Sequence, residues 1–213
     1  KHNVLESSYE LKQGDVLNVP YKDERFDFVS INGVLIHLNN MAEIIRGFSE
    51  GARVCRKKGY FYTSYGPCGG ITQGVIVPAL RRYYKENTEF REFVDNLNPG
   101  ILHEVINKIC ADAKKYTGET FDSHQLKSLF GGEFCTFIQN YLQAPTWFSN
   151  ECTPELIEEL YRSQGFVDVT RINDFVKRND IRKYVAPLHY DRDYPLSKLL
   201  YGKGYVEYIG RKG

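Results

Sequence analysis

The pattern of hydrophobic and polar positions predicts alternating strands and helices. Residues 26–31 (Phe-Asp-Phe-Val-Ser-Ile) and residues 60–65 (Tyr-Phe-Tyr-Thr-Ser-Tyr) have the composition of buried strands. Between them, apolar residues recur at helical spacing from Met41 to Cys55, and Gly59 is placed to end the helix in a left-handed conformation. Strand, helix and strand with these connections form a βαβ unit. The sequence therefore predicts an α/β fold with a parallel sheet.

The middle of the chain departs from this alternation. Candidate helices follow one another at residues 75–84, 90–97, 101–115 and 123–130. We interpret them as an insertion that forms a helical cap. The core resumes at Thr153-Pro154, since Thr is a favourable N-cap residue and Pro a favourable first helical residue. Strands follow at 166–169 and 205–210, and residues 173–204 have an irregular, charged pattern.

Composition narrows the class of protein. The chain has 213 residues, 42% of them hydrophobic and 26% charged, as expected for one soluble domain or for one domain with a large insertion. A formal charge of +1 gives no broad basic surface for nucleic acid, and no apolar run is long enough for a membrane span. Five dispersed cysteines without a Cys-x-x-Cys pair favour a reducing, cytoplasmic environment over a disulfide framework.

Four sequence stretches, in this order and at this spacing, resemble one family. They are Gly14-Asp15-Val16-Leu17-Asn18-Val19-Pro20, Phe26-Asp27-Phe28-Val29, Asn32-Gly33-Val34-Leu35-Ile36-His37 and Arg53-Val54-Cys55-Arg56-Lys57-Lys58-Gly59-Tyr60. The chain resembles the class I S-adenosylmethionine-dependent methyltransferases, in particular the broad small-molecule group. The resemblance covers residues 10–65, and Gln164-Gly165-Phe166 and Gly210-Arg211-Lys212 are similar to the family's final strands. It implies a Rossmann-like, three-layer αβα sheet.

The resemblance also implies a cofactor site for S-adenosylmethionine. In an open parallel sheet, ligands bind at the carboxyl ends of the strands, where Asp15 and Asn32 fall. Asp15 would accept from the adenine amino group and the Val16 amide would bond a ring nitrogen, although a turn residue after glycine is an equal alternative for Asp15. Asn32, Gly33 and His37 would lie at the methionine end, and Gly33 would let the backbone approach the ligand closely.

Candidate acceptor-side residues come from the strand ends and from the insertion. His37 is a candidate general base because imidazole titrates near neutrality, although a packing or cofactor-edge role is the stronger alternative. Tyr65 is the second catalytic candidate, since it follows the strand that borders the transferred methyl group in the resembling fold. The remaining substrate candidates lie in the insertion: His103, His124 and Trp147. No metal site is predicted.

The family's glycine-rich loop and the acidic residue that ends its second strand do not occur in this sequence. Gly14 is the only early glycine, and Gly69-Gly70 follow a later strand. If residues 9–13 are the family's third strand, the N-terminal strands are missing, and we expect an upstream segment or another chain to supply them. The alternative is a different assignment of the strands.

The predicted organisation has three parts. Residues 1–66 form the C-terminal part of a cofactor-binding core, residues 67–150 the helical cap or substrate insertion, and residues 151–213 the end of the core sheet. The predicted function is methyl transfer from S-adenosylmethionine to a small-molecule or carrier-tethered acceptor. The alternatives are a catalytically inactive, methyltransferase-like binding or scaffold subunit and, less favoured, a nucleotide-dependent oxidoreductase. Assembly into a homo-oligomer stays open.

Overall fold

Four strands form one mixed sheet in the computed structural model, which describes residues 9–172, 179–191 and 193–213. The strands are β1 (Phe26–Asn32), β2 (Cys55–Cys68), β3 (Phe166–Arg171) and β4 (Gly204–Lys212). Their spatial order is β1-β2-β4-β3. β1 and β2 are parallel, whereas β4 runs antiparallel to both β2 and β3. The carboxyl ends of β1 and β2 therefore meet at one edge of the sheet.

Helices connect the strands and fill the middle of the chain. The described helices are α1 (Met41–Val54), α2 (Val77–Glu86), α3 (Thr88–Asp95), α4 (Pro99–Thr117), α5 (Ser123–Leu129), α6 (Gly132–Gln143), α7 (Pro154–Ser163), α8 (Arg182–Val185) and α9 (Pro195–Tyr201). Short 3-10 turns lie at Leu35–His37 and Ala186–His189, and a π-helical turn at Thr72–Ile76 leads into α2.

The core lies between α1, α7 and one face of the sheet. Phe48 of α1, Phe61 of β2 and Tyr161 of α7 are fully buried and pack ring against ring, with centroids 4.9 to 5.6 Å apart. We call this surface the core face. The Tyr161 hydroxyl lies 3.1 Å from Thr63 Oγ1 and 3.1 Å from the Tyr208 carbonyl oxygen. The buried Tyr161 hydroxyl therefore has protein partners on this face.

The α/β, Rossmann-like fold is confirmed. Residues on alternate positions of β4 face the other side of the sheet, where the 3-10 turn 186–189 and α9 contact β4. Helical segments thus cover both faces, as expected for three αβα layers. Thr153 accepts from the Leu156 amide as the predicted N-cap of α7, and Gly165 after its end has a φ of +78°.

Several predicted bounds are wrong. Residues 9–13 form no strand; Tyr9 and Leu11 are exposed, and the first pairing is an isolated bridge between Asp15 and Asn18. A strand assignment there fails because the segment has no described neighbouring strand with which to pair. Within residues 173–204, α8, α9 and a 3-10 turn replace the predicted irregular structure, while 173–178 and 192 lie outside the described residues. Helix α6 had no counterpart in the prediction.

The predicted left-handed stop at Gly59 is also wrong. α1 ends at Val54, and the Lys212 ammonium donates to the carbonyl oxygens of Ala52 and Cys55, 2.8 and 2.9 Å away. A cation at a helix C-terminus satisfies the last carbonyl groups without a glycine. Gly59 lies within β2, where a Cβ atom would lie 2.9 Å from the Asp27 carbonyl oxygen. The small side chain therefore allows β1 and β2 to approach.

Candidate functional site

The carboxyl ends of β1 and β2 leave open space at the sheet edge. Gly33 has a φ of +66° and donates its amide to the Ser64 carbonyl oxygen, 3.0 Å away. A Cβ atom at Gly33 would meet no atom within 4 Å. Asn32 is exposed beside it. The sequence prediction placed these two residues at a ligand, and the structure places them at an accessible strand end with room for one.

Asp15 and Val16 lie on a loop that is held against α1. Asp15 Oδ1 accepts from the Leu17 amide at 2.8 Å, which is the turn role considered as its alternative. The Arg53 guanidinium donates to the carbonyl oxygens of Tyr21 and Val19 at 2.8 and 2.9 Å. The loop is thereby fixed, and the Asp15 side chain is exposed. Both roles for Asp15 stay compatible, because a carboxylate accepts several hydrogen bonds.

His37 connects the sheet edge to the segment before α7. Its Nδ1 lies 3.1 Å from the Thr146 carbonyl oxygen, and the Thr146 hydroxyl donates to the His37 carbonyl oxygen at 2.5 Å. The Trp147 ring lies with its centroid 5.4 Å from the imidazole. These contacts fit the packing alternative for His37, and its catalytic role stays a prediction.

Tyr65 lies on the core face. Alternation along β2 places it with Phe61 and Thr63, and the side chain is fully buried. Burial raises the pKa of its hydroxyl well above the ordinary value. The hydroxyl has no hydrogen-bond partner among the described residues. Tyr62 and Ser64 lie on the opposite face of β2, and Tyr62 contacts Glu207, which lines the cavity described next.

A cavity of about 330 Å³ lies between this opposite face of the sheet and the helical segments α6 and α8. We call it the aromatic cavity because most of its large side chains are rings: Phe134, Phe137, Tyr141, Tyr190, Tyr201 and Tyr205. Gln73 and Glu207 also line it. Its size and apolar walls with few polar groups are typical of a small-molecule site.

Strand register aligns the aromatic cavity with the open sheet edge. Asn32 pairs with Ser64 across β1 and β2, and Ser64 pairs with Glu207 across β2 and β4. Paired residues share a face of the sheet, and neighbouring strands lie about 5 Å apart, so this row spans roughly 10 Å. At one end of the row lies Asn32, beside which the methionine end of the cofactor is predicted to bind. At the other end lies the Glu207 carboxylate, in the cavity wall.

The Glu207 carboxylate is positioned by two tyrosines. The Tyr62 hydroxyl donates to Oε1 at 3.1 Å and the Tyr190 hydroxyl donates to Oε2 at 3.5 Å. The pKa of Tyr62 is raised, first by burial and then by the negative charge of Glu207. Tyr62 is therefore a neutral donor at all ordinary pH values.

Two side chains of the cavity wall contain buried atoms without a described partner. They are Gln73 Nε2 and His189 Nδ1. Burial lowers the pKa of His189 to about 4, so the imidazole is neutral near pH 7. Its ring stacks on Tyr201 with centroids 3.8 Å apart. An unpaired buried polar atom is destabilising and requires an explanation.

The three insertion candidates have different surroundings. Trp147 donates its indole N–H to Gln73 Oε1 at 3.0 Å and packs against Tyr141, which joins it to the cavity wall. His103 lies on α4 with a buried Nε2 that has no described partner, and His124 is exposed at the start of α5. Neither histidine lines the aromatic cavity. Their substrate roles stay predictions.

Sequence reasoning missed Gln73, Glu207 and His189. Of these three residues, only Glu207 could be recognised from the sequence. It is an acidic residue within the strand pattern of Tyr205 to Ile209, which indicates that its side chain lies on the face opposite the core. Gln73 and His189 lie in segments without a clear period. Only the tertiary structure brings them to one cavity.

Residues 1–63 match the family model of the methyltransferase domain. This match confirms the resemblance to the class I S-adenosylmethionine-dependent methyltransferases. The match includes Asp15, Asn32 and His37 and ends within β2. The residues that line the aromatic cavity therefore all lie beyond the match.

Solved structures give weaker similarities. A possible histamine N-methyltransferase from Thermotoga maritima aligns with 94% of this chain and 62% of its own at 16% identity and a TM-score of 0.37. A possible exported protein from Bordetella parapertussis aligns with 93% of this chain and 42% of its own at 14% identity and a TM-score of 0.39. The chain thus spans less than two thirds of the length of both structures. No curated protein sequence matches it.

The residues at the sheet edge fit one part of the expected cofactor. Methyltransferases of this class use S-adenosylmethionine, and the open space at Gly33, together with the exposed Asn32, has room for its methionine end. The exposed Asp15 carboxylate can accept a further hydrogen bond, such as one from the adenine amino group.

No helix in the described parts of the chain is both long enough and apolar enough to cross a membrane.

Proposed function

We propose that this chain contributes the acceptor side of an S-adenosylmethionine-dependent methyltransferase that acts on a small molecule. The observation that carries the proposal is the row Asn32, Ser64 and Glu207, which runs from the open sheet edge to the aromatic cavity. A methyl donor and an acceptor must be held within contact distance and in line for transfer. The row spans a distance that two ligands meeting end to end would occupy.

The cofactor would be held by Asp15, Val16, Asn32 and Gly33. When bound, S-adenosylmethionine supplies an already activated methyl group, so positioning and exclusion of water provide most of the catalysis. The helical segment between β2 and α7 would act as a cap over the acceptor. A cavity of about 330 Å³ favours a small molecule, or the end of a carrier-tethered one, over a macromolecular acceptor.

Calorimetric titration of S-adenosylhomocysteine into the longest polypeptide that contains this chain tests the cofactor site. We expect Asp15→Ala to weaken binding by about tenfold to a hundredfold, since one hydrogen bond to a charged group contributes about 1.5 to 3 kcal/mol. Asp122→Ala is a matched control, because Asp122 is an exposed acidic residue that caps α5 far along the chain. Absence of binding by the unsubstituted protein would contradict the proposal and favour a scaffold subunit.

A further inference from the structure

Gly66 is a buried residue beside which the structure leaves open space. It lies in β2 with a φ of +80°, and a Cβ atom there would meet no atom of the described residues within 4 Å, its two chain neighbours aside. Gly33, Gly118 and Gly165 also combine a positive φ with such open space. Gly118 and Gly165 are exposed, so the space beside them is solvent. Of these four residues only Gly66 is buried, so the space beside it is covered by other parts of the protein.

The left-handed conformation of Gly66 has a different cause from that of the exposed glycines. Gly118 and Gly165 follow the last residues of α4 and α7, where a left-handed glycine commonly ends a helix. Gly66 instead belongs to a bulge within the sheet, because Tyr65 and Gly66 of β2 together lie opposite Val206 of β4. Bulges bend a strand and are frequent next to active sites. The bulge therefore changes the course of β2 at its carboxyl end.

This bulge lies between the two places where ligands are proposed to bind. On one side, the Ser64 carbonyl oxygen accepts from the Gly33 amide at 3.0 Å, which joins β2 to the open end of β1. On the other side, Pro67 pairs with Tyr205, which lines the aromatic cavity. Because β2 lies between β1 and β4 in the sheet, Gly66 lies between the predicted methionine end of the cofactor and the proposed acceptor cavity.

The space beside Gly66 has room for a small alkyl group. Carbon atoms in contact pack about 3.5 to 4.0 Å apart, so a position without neighbours inside 4 Å admits at least one further carbon atom. A donor and an acceptor must touch at the boundary between their sites. In a sulfonium donor, the group at that boundary is the alkyl group on sulfur.

We propose that Gly66 determines the size of the S-alkyl group that this site accepts, because the open space beside it receives that group. The inference rests on the proposed function, which places the donor at the sheet edge and the acceptor in the aromatic cavity. It deepens that function by assigning one residue to the transferred group. Gly66 lies beyond residues 1–63, which match the methyltransferase family model.

Titration calorimetry with three sulfur compounds tests the assignment on the longest polypeptide that contains this chain. S-adenosylhomocysteine has no S-alkyl group, S-adenosylmethionine has a methyl group and S-adenosylethionine has an ethyl group. We expect the methyl and ethyl compounds to bind with affinities within about threefold of each other, because the space admits one more carbon atom. Binding of the ethyl compound tenfold or more weaker than that of the methyl compound would contradict the proposal.

Gly66→Ala fills the same space with one carbon atom. We expect the affinity for the ethyl compound to fall by about tenfold and that for the methyl compound by less, since overpacking grows with each added carbon. The affinity for S-adenosylhomocysteine should be nearly unchanged. An equal loss for all three compounds would mean that Gly66 only supports the fold of the site. An unchanged affinity for the ethyl compound would mean that the alkyl group lies elsewhere, so either result would overturn the proposal.

Gly118→Ala is the matched control. Gly118 has a φ of +75° and the same open space, so the substitution imposes a similar backbone strain far from the sheet edge. It should leave all three affinities unchanged. If thermal melting shows that Gly66→Ala does not fold, Gly66→Asn and Gly118→Asn replace the pair, because asparagine adopts the left-handed conformation more readily. The same dependence on the size of the S-alkyl group is expected for Gly66→Asn.

The two proposals fail in different ways. Absence of S-adenosylhomocysteine binding by the unsubstituted protein would contradict the proposed function and this inference with it. Binding of all three compounds, with affinities that do not change in Gly66→Ala, would contradict this inference alone.

Discussion

The two faces of the sheet use the same residue types for different purposes. On the core face, the Tyr161 hydroxyl lies 3.1 Å from each of three oxygen atoms, and the rings around it are fully buried. On the cavity face, tyrosines surround open volume, and Gln73 and His189 have buried nitrogen atoms without described partners. The core face has one such atom too, since the buried Tyr65 hydroxyl has no partner among the described residues. The clearest difference between the faces is therefore packing: rings fill the core face, whereas the tyrosines of the other face border open volume.

The largest expected effect is the pH dependence contributed by His189. Its pKa of about 4 in the folded state lies below the ordinary 6.5, so the unfolded chain binds a proton that the folded chain excludes between these values. Stability should therefore be complete above pH 6.5 and fall as the pH decreases toward 4, by up to about 3 kcal/mol from this residue. Urea unfolding at several pH values measures the slope.

Two variants isolate the histidine contribution. His189→Phe preserves a ring against Tyr201 and should reduce the loss of stability between pH 6.5 and 4. His124→Phe, at an exposed position, should retain the full dependence of the unsubstituted protein. Equal slopes in all three proteins would show that the cavity side of the sheet does not bury a neutral imidazole.

A methyl group added to the core face should destabilise the protein by about 1 to 3 kcal/mol. At Gly210, a Cβ atom would lie 2.8 Å from Tyr161 Cδ1 and 3.3 Å from Phe166 Cβ. Gly210→Ala therefore forces two packed elements apart. Gly74→Ala is the control, since a Cβ atom there meets nothing within 4 Å. Urea midpoints for the two variants should differ clearly; similar midpoints would mean that the core face is loosely packed.

The sequence predicted the core better than the site because the two depend on different information. Periodicity located β1, α1 and α7 within a few residues, since each element buries its own apolar stripe. The ends of α1 and β2 were wrong because Lys212, distant in sequence, caps the helix. The open sheet edge at Asn32 and Gly33 followed from family motifs. The aromatic cavity did not, because Gln73 and Glu207 meet only through tertiary contacts.

Removing the Tyr161 hydroxyl should cost about 1 to 2 kcal/mol. In Tyr161→Phe the ring packing is preserved, but Thr63 and the Tyr208 carbonyl group lose a buried partner. The measurement is the free energy of unfolding in urea. An unchanged value would mean that these groups find other partners and that the core face is less specific than its geometry indicates.

The same substitution on the opposite face should have the smallest effect on stability. Tyr62→Phe removes one donor to Glu207, but the Tyr190 hydroxyl still donates to the other carboxylate oxygen. We expect less than about 1 kcal/mol of destabilisation. Tyr161→Phe should destabilise the protein more. If Tyr62→Phe instead destabilised the protein as much as Tyr161→Phe, both tyrosines would serve the fold, and the distinction between the two faces would fail.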